Sequence, residues 1–321
     1  MSSKPVLWIT RKLSANTEER AAHDYQVILS PDDQPASAEQ IVAMSPKVDA
    51  IIPCHSEIFS ADVVSRLDKR VRIIANHSVG VDHCDLAALK DKGIIVTNTP
   101  DVLSDATAEI AMLLLLGAAR RAVEGDRLVR ERRWTSWSPS FMVGHQVTGK
   151  RLGIVGMGKV GQVLAKRARG FDMEIHYHNR TRLDSRLESG AVFHSDLESL
   201  LNISEFLSLH CPATPDTRGI MNEATFAMMP DQSILVNTAR GAIIDEDALL
   251  AALKSGKLAA AGLDCFVMEP GGNPRFDSQE KIFMLPHIGS ATFETRDAMG
   301  FRALDNIDAF FAGKEPVDRL I

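Results

Sequence analysis

The stretch Arg151–Ala168, RLGIVGMGKVGQVLAKRA, decides the fold of this 321-residue chain. RLGIV (151–155) reads as a short buried strand and KVGQVLAKRA (159–168) as a helix. Between them stands Gly156-Met157-Gly158-Lys159-Val160-Gly161. A lone G-x-G-x-x-G says little. Placed after a strand and opening a helix, its first glycine permits a tight turn. The second lets the backbone approach a pyrophosphate, and the third lets helix and strand pack closely. The helix N-terminus adds unpaired N–H groups and partial positive charge. The segment therefore points to a dinucleotide site.

The next strand speaks to the kind of dinucleotide. An NAD site usually has an acid there that bonds the ribose 2′-hydroxyl. Here the strand EIHYH (174–178) ends in Asn179-Arg180-Thr181-Arg182, without that acid and with two arginines. Guanidinium forks pair with a 2′-phosphate, which a carboxylate repels. NADP(H) is expected over NAD(H). His176 and His178 alternate onto one face of this strand, and with no third ligand nearby in sequence no metal site is expected.

Working outward, short β-rich runs alternate with helical patterns on both sides of this unit. Upstream the strand candidates are 6–10, 26–29, 49–53, 72–76 and 94–98, with helices at 38–44 and 85–93 between them. Downstream they are 206–210, 233–237, 258–264 and 282–285, before a last helix from Thr292 to Phe311. Such alternation argues for two doubly wound parallel sheets. By this pattern the second starts near residue 150. One long amphipathic helix is expected from near Ala106 past Arg127. The segment 132–146, rich in aromatics, has no clear period.

Composition narrows the functional classes. With 45% hydrophobic and 24% charged residues the chain is an ordinary globular protein, long enough for two cores. A net charge of −6 makes a nucleic-acid partner unexpected, and the Arg127–Arg133 cluster reads as a solvated helix face. The longest apolar run, Ile110–Ala119, is too short to span ~30 Å of hydrocarbon, so no membrane partner is expected. The N-terminus lacks a signal-peptide pattern, and Cys54, Cys84, Cys211 and Cys265 suggest neither disulfides nor zinc. A cytoplasmic location is expected.

Three further segments follow predicted strands, where ligands bind an open parallel sheet. VNTARG (236–241), GLDCFVMEP (262–270) and LPHIGSAT (285–292) carry Arg240, Glu269 and His287. Arginine supplies a permanent cationic fork for a carboxylate, and histidine suits proton transfer near neutral pH. A carboxylate beside the ring orients it and favours the imidazolium. Downstream of a dinucleotide motif, the three suggest a dehydrogenase acting on an anionic carbonyl compound.

Together with NHSVGVDHCDL (76–86), SDATAEIAMLLLL (104–116) and LHCPATPDTRG (209–219), these stretches resemble the D-isomer-specific 2-hydroxyacid dehydrogenases over essentially the whole chain. RRWTSW, HNRT and HIGSAT are most similar to the glyoxylate/hydroxypyruvate reductases within that family. The resemblance implies a flavodoxin-like, discontinuous substrate domain from 1–100 and 289–321 and a Rossmann-type nucleotide domain at 101–288, with the active site in the cleft. It implies that Arg240 holds the 2-oxo acid, His287 is the general acid, and Glu269 keeps His287 protonated. Backbone N–H groups of Val79 and Gly80 would bind the substrate carboxylate, with Ser290 and His55 also on the substrate side. Thr107, Gly156, Met157, Gly158, Lys159, Val160, Asn179, Arg180, Thr181, His210, Pro212, Thr217, Thr238, Ala239, Asp264 and Gly289 would contact the cofactor.

His55 is polar where a similar reductase carries an aliphatic residue. Hydroxypyruvate, or a longer 2-keto acid such as 2-ketogluconate, would then compete with glyoxylate. The resemblance implies a homodimer through the nucleotide domains, an interface that Trp134, Trp137 and Phe141 would fit physically, with local packing as the alternative. Two alternatives share the motifs. One is another dehydrogenase of the same family, acting on phosphoglycerate, formate or phosphite. The other is a nucleotide-sensing protein resembling the C-terminal-binding-protein corepressors; the chain's end at Ile321, soon after its last helix, disfavours it.

Overall fold

The computed structural model of the protein describes residues 4–321. In chain order the first elements are β1 (Val6–Ile9), α1 (Ala15–Asp24), β2 (Gln26–Leu29), α2 (Ala38–Met44), β3 (Ala50–Ile52), α3 (Ala61–Arg66), β4 (Ile73–Ala75), α4 (Leu86–Asp91) and β5 (Ile95–Thr97). α5 (Ser104–Ala119) and α6 (Ala122–Arg130) lead to β6 (Arg151–Val155), α7 (Lys159–Ala168), β7 (Glu174–His178), α8 (Ser185–Glu188) and β8 (Val192–His194). α9 (Leu197–Leu201), β9 (Phe206–Leu209), α10 (Glu223–Met228), β10 (Ser233–Asn237), α11 (Glu246–Ser255), β11 (Leu258–Leu263), β12 (Ile282–Met284) and α12 (Phe293–Phe311) complete the chain.

The chain divides into two compact units: Met1–Leu103 with Ser290–Ile321, and Ser104–Gly289. The first contains a parallel five-stranded sheet in the order β2-β1-β3-β4-β5. Its central strands read as unbroken apolar runs because helices cover both faces. On one face Ile41, Val63, Val64 and Leu89 pack on Trp8, Ile51 and Ile74. On the other, Ala303, Leu304 and Ile307 of α12 pack on Leu7, Ile9, Ile52 and Ile73.

The second unit is a seven-stranded parallel sheet in the order β12-β11-β10-β9-β6-β7-β8. The strand order reverses between β6 and β9, the switch point at which such sheets bind ligands. Tyr177 and Leu152 lie in the core on one face, Leu207 and Leu235 on the other.

Two expectations need correction. The long helix from Ala106 past Arg127 is two helices, broken where Arg121 takes a left-handed backbone (φ 55°). The strand-and-helix alternation also places the second unit's start too late. α5 lies against α7, β10 and β11 and belongs to that unit from Ser104 onward. It is too evenly apolar to show a face, because it is buried in a sheet-covering layer.

α12 approaches α1 so closely that a Cβ at Gly300 would lie 2.2 Å from Thr17 Oγ1 and 2.8 Å from Thr17 Cβ. Alanine in a helix interior gains ~1 kcal/mol of propensity over glycine, but overpacking costs ~1–3 kcal/mol. Gly300→Ala is expected to lower the melting temperature in a thermal scan; a raised one would show that α1 yields and that the contact is not tight.

Candidate active site

The glycine turn between β6 and α7 is shaped by what surrounds it. Gly156 has φ 95°, and a Cβ there would lie 2.6 Å from Cys211 N. A Cβ at Gly161 would lie 2.5 Å from the Gly156 carbonyl oxygen. Gly158 differs: a Cβ there would meet nothing within 4 Å, and as the N-cap of α7 it offers the helix no side-chain hydrogen bond. The first and third glycines are thus needed by the fold. The second leaves a bare backbone and the first N–H groups of a ten-residue helix for an anion. The residues present fit a dinucleotide's pyrophosphate, with Lys159 and Val160 opening the helix.

Two of the expected cofactor residues, Asn179 and His210, adjoin this turn. Met157 N–H donates to Asn179 Oδ1 at 2.7 Å, joining the glycine turn to the end of β7. Arg180 and Thr181 follow, both exposed. His210 lies 2.8 Å by Nε2 from Ser208 Oγ and 3.3 Å by Nδ1 from Thr238 Oγ1. Burial lowers its pKa to about 4, so it is a neutral hydrogen-bonding group and not a cation. The Thr217 hydroxyl is committed to its own loop, donating to Pro212 O at 2.6 Å. Gly289 sits where a Cβ would lie 3.1 Å from Asp264 Oδ2 and 3.4 Å from Thr107 Oγ1, which brings these three residues together.

Arg240, Glu269 and His287 follow β10, β11 and β12, three neighbouring parallel strands. His287 Nδ1 lies 2.6 Å from Glu269 Oε2. The other oxygen of Glu269 accepts from Phe266 N–H at 2.7 Å, so the carboxylate is fixed from both ends. His287 itself has a left-handed backbone (φ 53°), a strained conformation for this residue type. Asp264 Oδ1 holds the next residue by accepting from Ile288 N–H at 2.8 Å. Burial is the main cause of Asp264's raised pKa, about 6 against 3.8.

Two residues that shape this group escaped the sequence reading. Asn237, fully buried, accepts from Ala239 N–H at 3.0 Å and donates to Arg240 O at 2.9 Å. Gly241 lets the Arg240 loop touch the Phe266 backbone, where a Cβ would lie 1.9 Å from the carbonyl carbon. The signal for Asn237 was present: an asparagine at a strand end is suited to clamping the turn that follows.

The expected substrate-side residues His55, Val79 and Gly80 belong to the first unit, and Ser290 opens that unit's C-terminal part. Asn98 Nδ2 donates to Val79 O at 2.9 Å and Ser78 Oγ to Gly80 O at 2.8 Å. Both carbonyls are thereby engaged, while among the described residues neither N–H donates to a partner. That is the arrangement of an anion-receiving turn. His55 is exposed in the 53–57 loop, which the buried Glu57 carboxylate braces by accepting from Cys54 N–H and Thr10 Oγ1. His176 and His178 meet His194 of β8, at 3.0 Å ring to ring and 2.9 Å from its carbonyl oxygen.

Residues 112–289 match the family model "D-isomer specific 2-hydroxyacid dehydrogenase, NAD binding domain". The chain is 44% identical to a glycerate dehydrogenase of Hyphomicrobium methylovorum, over 98% of each chain. It is 39% identical to a glyoxylate reductase of Pyrococcus furiosus, over 98% of this chain and 94% of that one. Among solved structures it resembles an NADPH-dependent glyoxylate/hydroxypyruvate reductase of Sinorhizobium meliloti in complex with NADP and malonate. That match has a TM-score of 0.88 and 29% identity, and covers 99% and 97% of the two chains.

Asp264 gives this site a pH signature. A folded pKa raised above the unfolded value favours the native state while the group is protonated; that contribution is lost as pH rises through about 6. Asp264→Asn, which keeps an acceptor for Ile288 N–H, is expected to gain stability relative to the parent between about pH 4 and pH 7. Parallel melting curves across this interval would contradict the assignment.

Proposed function

The chain belongs to the D-isomer-specific 2-hydroxyacid dehydrogenases, and from that premise we propose that it reduces a small 2-oxo acid, glyoxylate or hydroxypyruvate, to the D-2-hydroxy acid with NADPH. The observation that carries the reading is the Glu269–His287 pair at 2.6 Å, after the two strands next to that of Arg240, at the sheet end that also bears the glycine turn. Relatives named as glyoxylate reductase and glycerate dehydrogenase support the substrate class. Oxidation of glycerate at C2 gives hydroxypyruvate. The arginine-bearing end of β7 and the NADPH-dependent relative support the cofactor.

In this mechanism Arg240 binds the 2-oxo acid through its carbonyl and carboxylate oxygens, and the Val79 and Gly80 N–H groups receive the carboxylate. Glu269 holds His287 by Nδ1, and Nε2 is the atom that would deliver the proton. A bound reduced nicotinamide supplies the hydride. As negative charge builds on the carbonyl oxygen, Arg240 stabilises it and His287 delivers the proton. Asp264 would hold the carboxamide of the bound cofactor. Ser290 and His55 border the substrate's far end, His55 favouring hydroxylated acids. The units that carry these roles are the substrate domain, 1–100 and 289–321, and the nucleotide domain, 101–288.

A substrate panel of glyoxylate, hydroxypyruvate and 2-ketogluconate crossed with both cofactors tests the reading. NADPH is expected to be preferred. Arg240→Ala is expected to lower kcat/KM by ~100-fold or more through both KM and kcat, and His287→Ala to lower mainly kcat by a similar factor. His55→Leu is expected to shift the preference towards glyoxylate. Equal use of NADH would remove the cofactor assignment, and full activity in the Arg240 and His287 variants would remove the mechanism.

We further propose a homodimer through the nucleotide unit. Trp137 is 73% exposed, Trp134 56% and Val143 63%, three large apolar side chains left exposed within one ten-residue segment. Sedimentation is expected to give a dimer that Trp134→Ser and Trp137→Ser together weaken; a monomeric parent protein would defeat this.

A further inference from the structure

The two arginines at the end of β7 are held differently, and the difference starts from a buried carboxylate. Glu188, the last residue of α8, has a side chain only 7% exposed. Three donors converge on it: Tyr177 Oη at 2.6 Å, Arg182 Nε at 2.8 Å and Arg182 Nη2 at 3.1 Å. The last two form a bidentate fork on both carboxylate oxygens, the geometry that a phosphate would also demand of a guanidinium. Arg182 further lies 5.7 Å over the Phe193 ring.

Tyr177 is fully buried in β7 and acts in both directions. Its hydroxyl donates to Glu188 and accepts from Leu183 N–H at 3.1 Å. The segment after β7 is therefore tied at its start by Asn179 to Met157 N–H, and at its end by Arg182 and Leu183 to the Tyr177–Glu188 pair. Arg180 and Thr181 form the stretch between the ties. Arg180 is exposed and makes no hydrogen bond or ion pair among the described residues.

We infer that Tyr177 and Glu188 are positioning residues for the cofactor's 2′-phosphate: they occupy the fork of Arg182 and fix the segment so that Arg180 is the guanidinium presented to the phosphate. The inference rests on the NADPH reading above and deepens it. Glu188 is paired to Arg182, two residues from Arg180, and would repel a dianion bound by this segment if it were unpaired. Arg182 cancels that charge, so its role is neutralisation and shape, and recognition falls to Arg180. Residue type alone weighs Arg180 and Arg182 alike, and the contacts of Tyr177 and Glu188 are what separate them.

Calorimetric titration of the whole protein with NADP+ and with NAD+ tests it without turnover. Arg180→Ala is expected to weaken NADP+ binding by ~10-fold or more. Tyr177→Phe and Glu188→Gln are each expected to weaken it about five- to tenfold, the loss of one or two positioning hydrogen bonds. In kinetics the same change is expected in KM for NADPH, with kcat little moved. The double variant Tyr177→Phe/Arg180→Ala is expected to bind NADP+ no more weakly than Arg180→Ala, because the tyrosine acts through that arginine. Unchanged NADP+ binding in both positioning variants, equal weakening for NAD+, or additive losses in the double variant would each overturn the inference. A parent protein that binds NAD+ as tightly as NADP+ would instead overturn the cofactor reading on which it rests.

Discussion

Parallel pairing is the constraint on which the rest depends. Every strand of the second sheet runs the same way, so the residues that follow β6, β7, β9, β10, β11 and β12 all emerge at one edge. Adjacent strands lie ~4.8 Å apart, close enough for their loops to share one small molecule. Arg240, Glu269 and His287 are distant in the chain and neighbouring at that edge for this reason alone. The same constraint explains the glycine turn at β6, beside the point where the strand order reverses and the edge loops part to leave a crevice.

Gathering loops at one edge does not orient them, and a second kind of interaction does so. At each loop a buried polar side chain ties backbone that no helix or strand secures. Asn237 clamps the Arg240 turn, Asp264 the His287 turn, and Glu57 the loop that carries His55. Burying such groups is costly unless they are hydrogen-bonded, and here that requirement fixes each loop in one conformation. The energetic demand of the buried group and the precision of the exposed one are the same fact.

The sheet architecture was legible because its signals are local: apolar runs, β-branched residues, glycine turns and capped helices. Strand limits at 26–29, 151–155, 174–178 and 233–237 agree with the structure to the residue. The unread parts lack such signals. β8 is a three-residue edge strand whose residues are exposed or half-buried, so it shows neither an apolar run nor an alternation. The Arg121 break has no glycine or proline to announce it. Arg240, Glu269 and His287 could be singled out by their position after predicted strands, and the structure brings Glu269 and His287 into contact. Gly241 and Glu188 could not be picked out, since their importance lies in contacts made only after folding, whereas Asn237 stood in view at a strand end.

The carboxylates of the second unit show how one functional group takes different roles from its partners. Glu269 faces an imidazole and a backbone N–H, and holds the ring by Nδ1. Asp264 faces backbone N–H groups in a dry setting, and its pKa rises to about 6 because burial outweighs those bonds. Glu188 faces a guanidinium fork, which with Tyr177 holds it below the usual carboxylate range. A carboxylate beside the β7 end would by itself argue against a phosphorylated ribose. Once its charge is matched by an arginine, it instead fixes the shape of the segment that carries the next arginine. An acid near this strand end is therefore not enough to assign a cofactor: what decides is whether that acid is already spoken for.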